Sequence, residues 1–330
     1  MISSNRCVSV VVPVYFEEEV LPQLYERLKK VLEGLADDFI YEIVFVNDGS
    51  TDNSIEIMKE LASFDSQVRI VDLARNFGHQ IAVSAGLRYV TGDCVVIMDA
   101  DLQDPPELIP AMVSKWLGGF EVVYGVRKNR NDPFLKKNLA SFYYRILSKA
   151  SEVNLPLDTG DFCLMDHRVV SELISLKEAR PYVRGLRSWV GFRQTGIEFD
   201  RPERAAGAPK YNLIKSLRLG IDGMMSFTDL PLKSAGMLGI AIASVSLLLG
   251  IGTMFYSLLQ TLGVINGYNF SRLDALLTFA IVMLVGLLFI YLGLLGQYLG
   301  RIFIEVKRRP LFVVRDAIGF DKRTNPLEKK

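Results

Sequence analysis

The chain has 330 residues and is almost neutral, because 38 lysines and arginines are balanced by 37 aspartates and glutamates. A net charge of +1 without a long basic tract argues against nucleic acid as a partner. Three scattered cysteines, Cys7, Cys94 and Cys163, exclude a disulfide framework and a cysteine-based metal site. Polar residues at the start lead directly into an apolar strand, so we expect no signal peptide.

Three apolar, β-branched stretches near the start each end abruptly in carboxylates: Val8–Glu19, Glu42–Asp52 and Val95–Gln103. Such runs predict buried parallel strands, and the carboxyl ends of these strands are where open α/β sheets bind ligands. Between the first two, Glu17–Gly34 has the apolar spacing of a helix. This alternation predicts an α/β fold with a doubly wound, mostly parallel sheet.

Asp99 and Asp101 are two residues apart at the predicted end of the third of these strands. At that spacing two strand residues point to the same face. Mg²⁺ usually binds one or two carboxylates and leaves its other positions to phosphates and water. The pattern is therefore typical of an enzyme that binds a nucleoside diphosphate.

The remaining elements of the N-terminal region follow the same alternation. We predict helices Asn53–Ser63, Gln80–Tyr89, Glu107–Leu117 and Leu139–Ala150, and strands Val68–Leu73 and Glu121–Gly125. Arg127–Lys137 is polar and basic, which predicts a loop, and Asp158–Met165 predicts a turn followed by a short strand. Arg201–Lys210 contains two prolines and a glycine and is predicted to be a loop.

Two long charge-free segments follow, between Lys233 and Arg272 and between Asp274 and Arg301. About 20 apolar residues span a bilayer core, so spans at about 238–262 and 276–299 are each long enough. We predict a two-helix transmembrane hairpin at residues 233–300. The alternative is a pair of buried core helices in a soluble protein.

The segments that flank the hairpin are amphipathic or basic. Residues 211–232 contain an amphipathic helix, predicted at Tyr211–Phe227, that suits a membrane interface or, alternatively, the surface of a folded domain. Residues 301–330 form a tail whose strand-like part, Arg301–Arg315, can pack on the N-terminal domain or on a neighbouring subunit. Residues 1–210 are predicted to form the α/β domain.

The motifs VPVYFEEE, VNDGSTD and DADLQDPPE, in this order, resemble a family 2 glycosyltransferase of the GT-A fold. With the hairpin, the chain is similar to polyprenyl-phosphate glycosyltransferases related to dolichol-phosphate mannose synthase, and among them to the bactoprenol glucosyltransferase type of O-antigen modification. The resemblance implies inverting, metal-dependent transfer of a sugar, with glucose expected, from a UDP-sugar to undecaprenyl phosphate. It also implies a bacterial inner-membrane protein with its catalytic domain and both termini in the cytoplasm, and a homo-oligomer, with a tetramer favoured.

The resemblance also implies roles for particular residues. The nucleotide-sugar pocket would be lined by Pro13, Tyr15, Glu17, Asp48 and Asp99, with Tyr15 able to stack on uracil. Mg²⁺ or Mn²⁺ would be bound by Asp99, Asp101 and Gln103 and would act as a Lewis acid on the departing diphosphate.

The acceptor side is predicted from charge. A lipid phosphate is already ionised near neutral pH, so it needs charge balance more than a general base. Arg127, Arg201 and Lys210 are the favoured cations, chosen from the basic residues of the two loops. Asp158 is favoured over Asp161 as a catalytic residue, in either an acid–base or an orienting role. His79 can contact the nucleotide, but local hydrogen bonds in a loop are the favoured prediction for it.

Three alternatives stay open at this stage. The same fold can use another donor, such as an aminoarabinose or mannose derivative. A polysaccharide synthase would need more membrane spans and a Gln-x-x-Arg-Trp-type motif, neither of which the sequence has. A catalytically silent, nucleotide-binding membrane scaffold is argued against by the intact Asp99 and Asp101 pair.

Overall fold

A computed structural model of the chain describes residues 6–36, 38–128, 159–179, 181–200, 230–262, 264 and 271–320. The chain divides into two compact units, one made of Met1–Gly223 with Arg309–Lys330 and the other of Met224–Arg308. The predicted helices Leu139–Ala150 and Tyr211–Phe227 and the predicted loop Arg201–Lys210 lie outside the described residues.

The first unit alternates strands and helices as the sequence predicts. Its strands are β1 (Arg6–Val14), β2 (Phe39–Asn47), β3 (Val68–Leu73), β4 (Cys94–Ile97), β5 (Val122–Arg127), β6 (Thr159–Asp166), β7 (Gln194–Phe199) and β8 (Val314–Ile318). Its helices are α1 (Leu21–Glu33), α2 (Ser54–Phe64), α3 (His79–Leu87), α4 (Ile109–Leu117), α5 (His167–Ser175) and α6 (Val183–Trp189), with a 3₁₀ turn at Pro106–Leu108.

Within the described residues, the strands form one sheet in the order β7-β5-β6-β4-β1-β2-β3-β8. The central strands β4, β1, β2 and β3 are all parallel, which confirms the prediction for this part. The flanks differ, because β6 runs antiparallel to both β4 and β5, and β8 runs antiparallel to β3. The sheet is therefore mixed, but β5 and its parallel neighbour β7 run in the direction of the central strands, so only β6 and β8 of the described strands run the other way.

The core lies on both faces of the central strands. The residues from Val8 to Val14 are all buried, as expected for a strand covered on two sides. Helix α1 covers one face with Leu21, Leu24, Leu28 and Leu32, whose spacing gives a single apolar stripe. Burial of each such leucine stabilises the fold by about 1.5–3 kcal/mol.

Helix α3 lies directly on the opposite face of the sheet. A Cβ atom added at Gly86 would meet Val11 Cγ1 at 2.4 Å and Val46 Cγ2 at 2.9 Å. Glycine at this position therefore allows α3 to approach β1 and β2 closely. This contact fixes the N-terminus of α3, at His79, near the carboxyl ends of the strands.

The second unit consists of two helices that contact each other, α7 (Leu230–Thr261) and α8 (Ser271–Lys307). The first predicted span, about 238–262, lies almost entirely within α7, which begins earlier, and the second, about 276–299, lies within α8. Among the described residues, the segment Met283–Lys307 is long and apolar enough to cross a membrane. Large apolar side chains on α8, such as Phe289 and Ile290, are exposed.

We predict that Gly86→Ala destabilises the protein. Alanine gains about 1 kcal/mol of helix propensity, but contacts under 3.0 Å with two stiff, buried valines put the overpacking cost in the upper part of its usual range, at about 2–3 kcal/mol. The expected net loss is about 1–2 kcal/mol in the free energy of unfolding, measured by denaturant unfolding of the purified protein.

Ser84→Ala is the matched control on the same helix, since Ser84 Oγ donates only to the Gln80 carbonyl of its own helix. Its effect should stay within about 0.5 kcal/mol. Equal stability of Gly86→Ala and the parent protein would mean that α3 does not pack this closely on the sheet.

Candidate active site

Side chains from several strand ends meet at the carboxyl edge of the sheet. Asp48 follows β2, Tyr15 and Glu17 follow β1, and Asp99 and Asp101 follow β4. Because β4, β1 and β2 are adjacent and parallel, these loops leave the sheet at the same edge. The structure thus brings these five predicted site residues to one edge.

The carboxylate of Asp48 is 3% exposed and is held by the loop that follows β3. Its Oδ1 accepts the Phe77 N–H at 2.7 Å, and its Oδ2 accepts the Gly78 N–H and the Asn76 side-chain amide, both at 3.0 Å. Burial raises the pKa of Asp48, and the two backbone donors partly offset this rise. These contacts lock the β2 and β3 loops together.

Gly49 shows how closely these loops approach. It adopts a φ of 70°, and a Cβ atom here would lie 2.4 Å from backbone atoms of Arg75 and Asn76. Only glycine tolerates both the left-handed conformation and this contact.

The loop after β1 carries two aromatic rings to the same edge. Tyr15 and Phe16 are 36% and 40% exposed, and their centroids lie 4.4 Å apart in an edge-to-face arrangement. Phe16 has a φ of 54°, a conformation that costs a residue with a side chain about 1 kcal/mol or more. The N–H groups of Phe16 and Glu17 donate to the hydroxyls of Ser50 and Ser54. Pro13 lies within β1, before the loop, and is buried.

The acidic turn after β4 is tightly folded. Asp101 and Asp104 are 6% and 2% exposed; Asp101 Oδ1 accepts the Gln103 N–H, and Asp104 Oδ2 accepts the Asp99 N–H, each at 3.1 Å. Leu102 is buried with a φ of 61°. Burial, followed by the nearby Asp99 charge, raises the pKa of Asp104. Negative charge is therefore concentrated in this turn.

The acidic turn is suited to a metal ion whose remaining ligands come from a bound substrate. No cluster of three or more His, Cys, Asp or Glu side chains suited to a metal occurs in the part of the chain that the structure describes. Mg²⁺ needs only one or two carboxylates when phosphates and water complete its ligand shell. Asp99 and Asp101 supply these two carboxylates. They would be too few for a metal site whose ligands all come from the protein.

A second charged cluster borders the acidic turn. His79 Nε2 lies 3.1 Å from Asp161 Oδ2 and 3.6 Å from Asp99 Oδ1. Asp161 also accepts the Gln80 side-chain amide at 2.9 Å and pairs with Arg184 at 3.3 Å. The geometry follows from β6, which runs antiparallel to β4 and so brings its N-terminal end beside the carboxyl end of β4.

Charges in this cluster stabilise one another. Burial disfavours the charged form of His79, but the hydrogen bond to Asp161 and the charges of Asp99 and Asp161 outweigh it and raise its pKa to about 9. Burial likewise disfavours the Asp161 carboxylate, yet Arg184 and His79 hold its pKa well below its usual range. Near neutral pH, a His79 cation therefore lies between two carboxylates.

The other predicted site residues lie elsewhere or outside the described residues. Arg127 ends β5 at the same edge, half-buried, and its guanidinium lies 3.0 Å from the position of a Cβ atom at Gly160. The Arg127 charge partly offsets the rise in the pKa of Asp104 that burial and Asp99 cause. Asp158, Arg201 and Lys210 lie outside the described residues.

Sequence reasoning missed part of this arrangement. Asp104 belongs to the same acidic motif as Asp99 and is a third carboxylate of the turn, so its proximity could have been predicted. Gln80 and Arg184 carry no local signal, because their contacts with Asp161 depend on the packing of α3 and α6. The prediction of local hydrogen bonds for His79 is wrong, because its partner Asp161 is distant in the sequence.

Comparison with known proteins agrees with the motifs. Residues 9–174, half of the chain, match the model of glycosyl transferase family 2. An uncharacterized glycosyltransferase of Bacillus subtilis, YkcC, is 46% identical over 96% of this chain and 95% of its own length. The SfII prophage-derived bactoprenol glucosyl transferase of Shigella flexneri is 37% identical over 94% of this chain and 98% of its own length.

A solved structure also matches part of the chain. Glucosyl-3-phosphoglycerate synthase from Mycobacterium tuberculosis, in complex with Mn²⁺, UDP and glucosyl-3-phosphoglycerate, has a TM-score of 0.46 and 20% identity. The match covers 68% of this chain and 80% of that one. The family match and the near full-length relatives show that this chain belongs to glycosyl transferase family 2 and is a glycosyltransferase.

Proposed function

We propose that the protein transfers glucose from UDP-glucose to a polyprenyl phosphate, undecaprenyl phosphate in bacteria, at the cytoplasmic face of the inner membrane. The observation that carries the proposal is the acidic turn at Asp99 and Asp101 beside the Asp48 loop, in a chain that also contains a long apolar helix. The 37% identity to a bactoprenol glucosyl transferase supports glucose as the sugar and a lipid as the acceptor.

The donor nucleotide would bind across the loops after β1 and β2. Asp48 is fixed by three donors and is suited to accept hydrogen bonds from the base or ribose. The partly exposed ring of Tyr15 is suited to stack on uracil, with Glu17 beside it and Pro13 supporting the loop from β1. Asp99 would contact the ribose, the metal ion or both.

The diphosphate would lie against the acidic turn. Asp99 and Asp101, with the amide oxygen of Gln103, would hold Mg²⁺ or Mn²⁺. When bound, the ion would supply Lewis-acid stabilisation of the charge on the leaving diphosphate. The His79 side chain, 3.6 Å from Asp99 Oδ1, would help to orient that carboxylate.

The reaction itself needs little proton transfer. An oxygen of the lipid phosphate forms a bond to the anomeric carbon as the bond to the UDP oxygen breaks, which inverts the configuration. The attacking phosphate is already ionised, so positioning and charge balance would supply most of the rate. Asp161 is paired with cations and suits an orienting role, while Asp158 is the candidate from the sequence for an orienting or acid–base role.

Cations near the sheet edge and the membrane would balance the acceptor charge. Arg127 lies at the edge that carries the acidic turn, and Arg201 and Lys210 precede the predicted amphipathic helix 211–232. We propose that α7 and α8 form a membrane hairpin at 233–300, with the α/β domain 1–210 and the tail 301–330 in the cytoplasm. We further propose a homo-oligomer, with a tetramer favoured.

A turnover assay distinguishes the proposed function from two others. A different donor, such as an aminoarabinose or mannose derivative, would show as a preference in a panel of UDP- and GDP-sugars with polyprenyl phosphate. A silent nucleotide-binding scaffold would release no UDP in the same assay. Turnover with UDP-glucose above all other donors supports the proposal, and its absence contradicts it.

The metal site is tested by Asp101→Asn. This change keeps the shape of the side chain but removes its charge, and we expect it to remove nearly all turnover from a folded protein. EDTA should stop the parent enzyme, and Mg²⁺ or Mn²⁺ should restore it. Activity within about tenfold of the parent, a barrier change of roughly 1.4 kcal/mol, would contradict the metal role.

Asp93→Asn is the matched control for this test. Asp93 lies before β4, at the opposite edge of the sheet, and accepts the Cys7 N–H at 2.8 Å, which an asparagine oxygen can also do. Its turnover should remain close to that of the parent enzyme. A comparable loss in both variants would indicate damage to β4 rather than loss of a metal ligand.

The topology is tested by reporter fusions. Lys233 precedes the first proposed span, and Arg301, Lys307 and Arg308 follow the second, whereas the loop 263–275 contains only Arg272 as a basic residue. By the positive-inside rule, a reporter at the C-terminus should be cytoplasmic, and one inserted in the loop should lie outside. A C-terminal reporter outside the cytoplasm would overturn the proposed topology.

The acceptor site is tested by Arg127→Ala, Arg201→Ala and Lys210→Ala. Loss of a charge-assisted phosphate contact costs on the order of 1.5–3 kcal/mol, or about ten- to a hundredfold in efficiency for the lipid. The affinity for UDP should be unchanged. Lys59→Ala, an exposed cation on α2 paired with Glu56, is the control and should leave lipid kinetics unaltered. Parent-like lipid kinetics in a variant would exclude that cation.

A further inference from the structure

The last strand, β8, is tied to the donor side of the site. It pairs antiparallel with β3 and forms an edge of the sheet. Aromatic contacts anchor it at both ends: the Arg88 guanidinium lies 5.4 Å from the Phe312 ring, and the Phe320 ring lies 5.1 Å from that of Tyr89. These anchors do not involve Arg315, so the strand can remain in place without that side chain.

Residues at one end of β8 form hydrogen bonds with Ala74, the first residue of the loop that follows β3. Ala74 donates its N–H to the Val313 carbonyl at 2.9 Å, and its carbonyl accepts Arg315 Nη2 at 2.9 Å. Both backbone polar groups of Ala74 are thus held by the C-terminal segment. Arg315 Nη1 also lies 3.4 Å from Asp72 Oδ2. The guanidinium therefore bridges the end of β3 and the first residue after it.

From Asp72 a second connection leads to the β2 loop. Asp72 is 5% exposed, and its Oδ1 accepts the side-chain amide of Asn47 at 2.8 Å. The side-chain oxygen of Asn47 in turn accepts the Ser50 N–H at 3.0 Å. Arg315 is therefore linked through two buried polar side chains to the turn that contains Asp48.

The two connections meet at Asp48. Ala74 is followed directly by the segment 75–78, which supplies all three donors to the Asp48 carboxylate and contacts Gly49. The other connection holds the same turn from Ser50. We propose that Arg315, on the strand that follows the apolar helix α8 in the chain, is a positioning residue that sets the geometry of the donor-nucleotide pocket. This rests on the proposed role of Asp48 in binding the nucleotide.

The proposal predicts a specific kinetic effect of Arg315→Ala in the full-length protein. We expect UDP and UDP-glucose to bind about three- to tenfold more weakly, with a matching rise in KM for the donor and little change in kcat. The reason is that the substitution removes contacts that hold the Asp48 loop in position. It leaves unchanged the acidic turn and the cations proposed to bind the lipid phosphate. Calorimetric UDP titration and steady-state kinetics measure these quantities.

Arg315→Lys separates charge from geometry. Lysine keeps a positive charge near Asp72 but lacks the planar fork that reaches Asp72 and Ala74 together, so its UDP affinity should be intermediate. Arg309→Ala is the matched control, because it removes an exposed cation of the same C-terminal segment and should leave UDP affinity unchanged. A purely structural role for Arg315 would lower the thermal midpoint and the active fraction, with the donor KM of the remaining enzyme unaltered.

Asp48→Asn distinguishes the failure of this inference from that of the proposed function. The new amide would face N–H donors, so UDP affinity should fall further than in Arg315→Ala. Weaker UDP binding in Asp48→Asn with parent-like binding in Arg315→Ala would overturn this inference alone. Parent-like UDP binding in Asp48→Asn would overturn the nucleotide role of Asp48 and, with it, the positioning role of Arg315.

Discussion

The burial of carboxylates at one edge of the sheet is the constraint on which the rest of the site depends. A buried carboxylate without donors or cations is costly, so each one requires partners from another part of the chain. Asp48 obtains its donors from the β3 loop, and Asp161 obtains its partners from α3 and α6. The loops at this edge therefore cannot be placed independently, and the strand order that brings them together also fixes the site.

The two acidic groups at the edge differ in how their charge is balanced. Asp161 accepts a hydrogen bond from Gln80, and the charges of Arg184 and His79 outweigh the effect of burial and keep its pKa low. In the turn after β4, burial and the charge of Asp99 instead raise the pKa of Asp104. A cation shared with a diphosphate would relieve this concentration of charge. This concentration of charge supports the proposal that a cation shared with a diphosphate binds at the turn.

The sequence predicted the local features of the fold and the site but not the long-range ones. Apolar runs and helical spacing are local, so the central strands and α1–α4 were predictable. Strand pairing at the flanks was not, since nothing within β6 or β8 specifies an antiparallel neighbour far away in the chain. Likewise, the motif predicted Asp99 and Asp101, whereas the contacts of Asp161 join residues about 80 positions apart. The cluster around Asp161 therefore results from the packing of helices against the sheet and not from any local sequence pattern.

Under the proposed function, the charges at this edge matter more than a strong general base. A phosphate acceptor arrives ionised, so a basic group would add little, while any unbalanced negative charge would repel it. Within the described residues, the titratable groups closest to Asp99 are a histidine held as a cation and carboxylates engaged by donors. His79 and Asp161 hold fixed charges near neutral pH, whereas burial and the nearby Asp99 charge raise the pKa of Asp104 to about 7. Preorganised charge of this kind would stabilise the proposed transfer between two phosphate-bearing substrates.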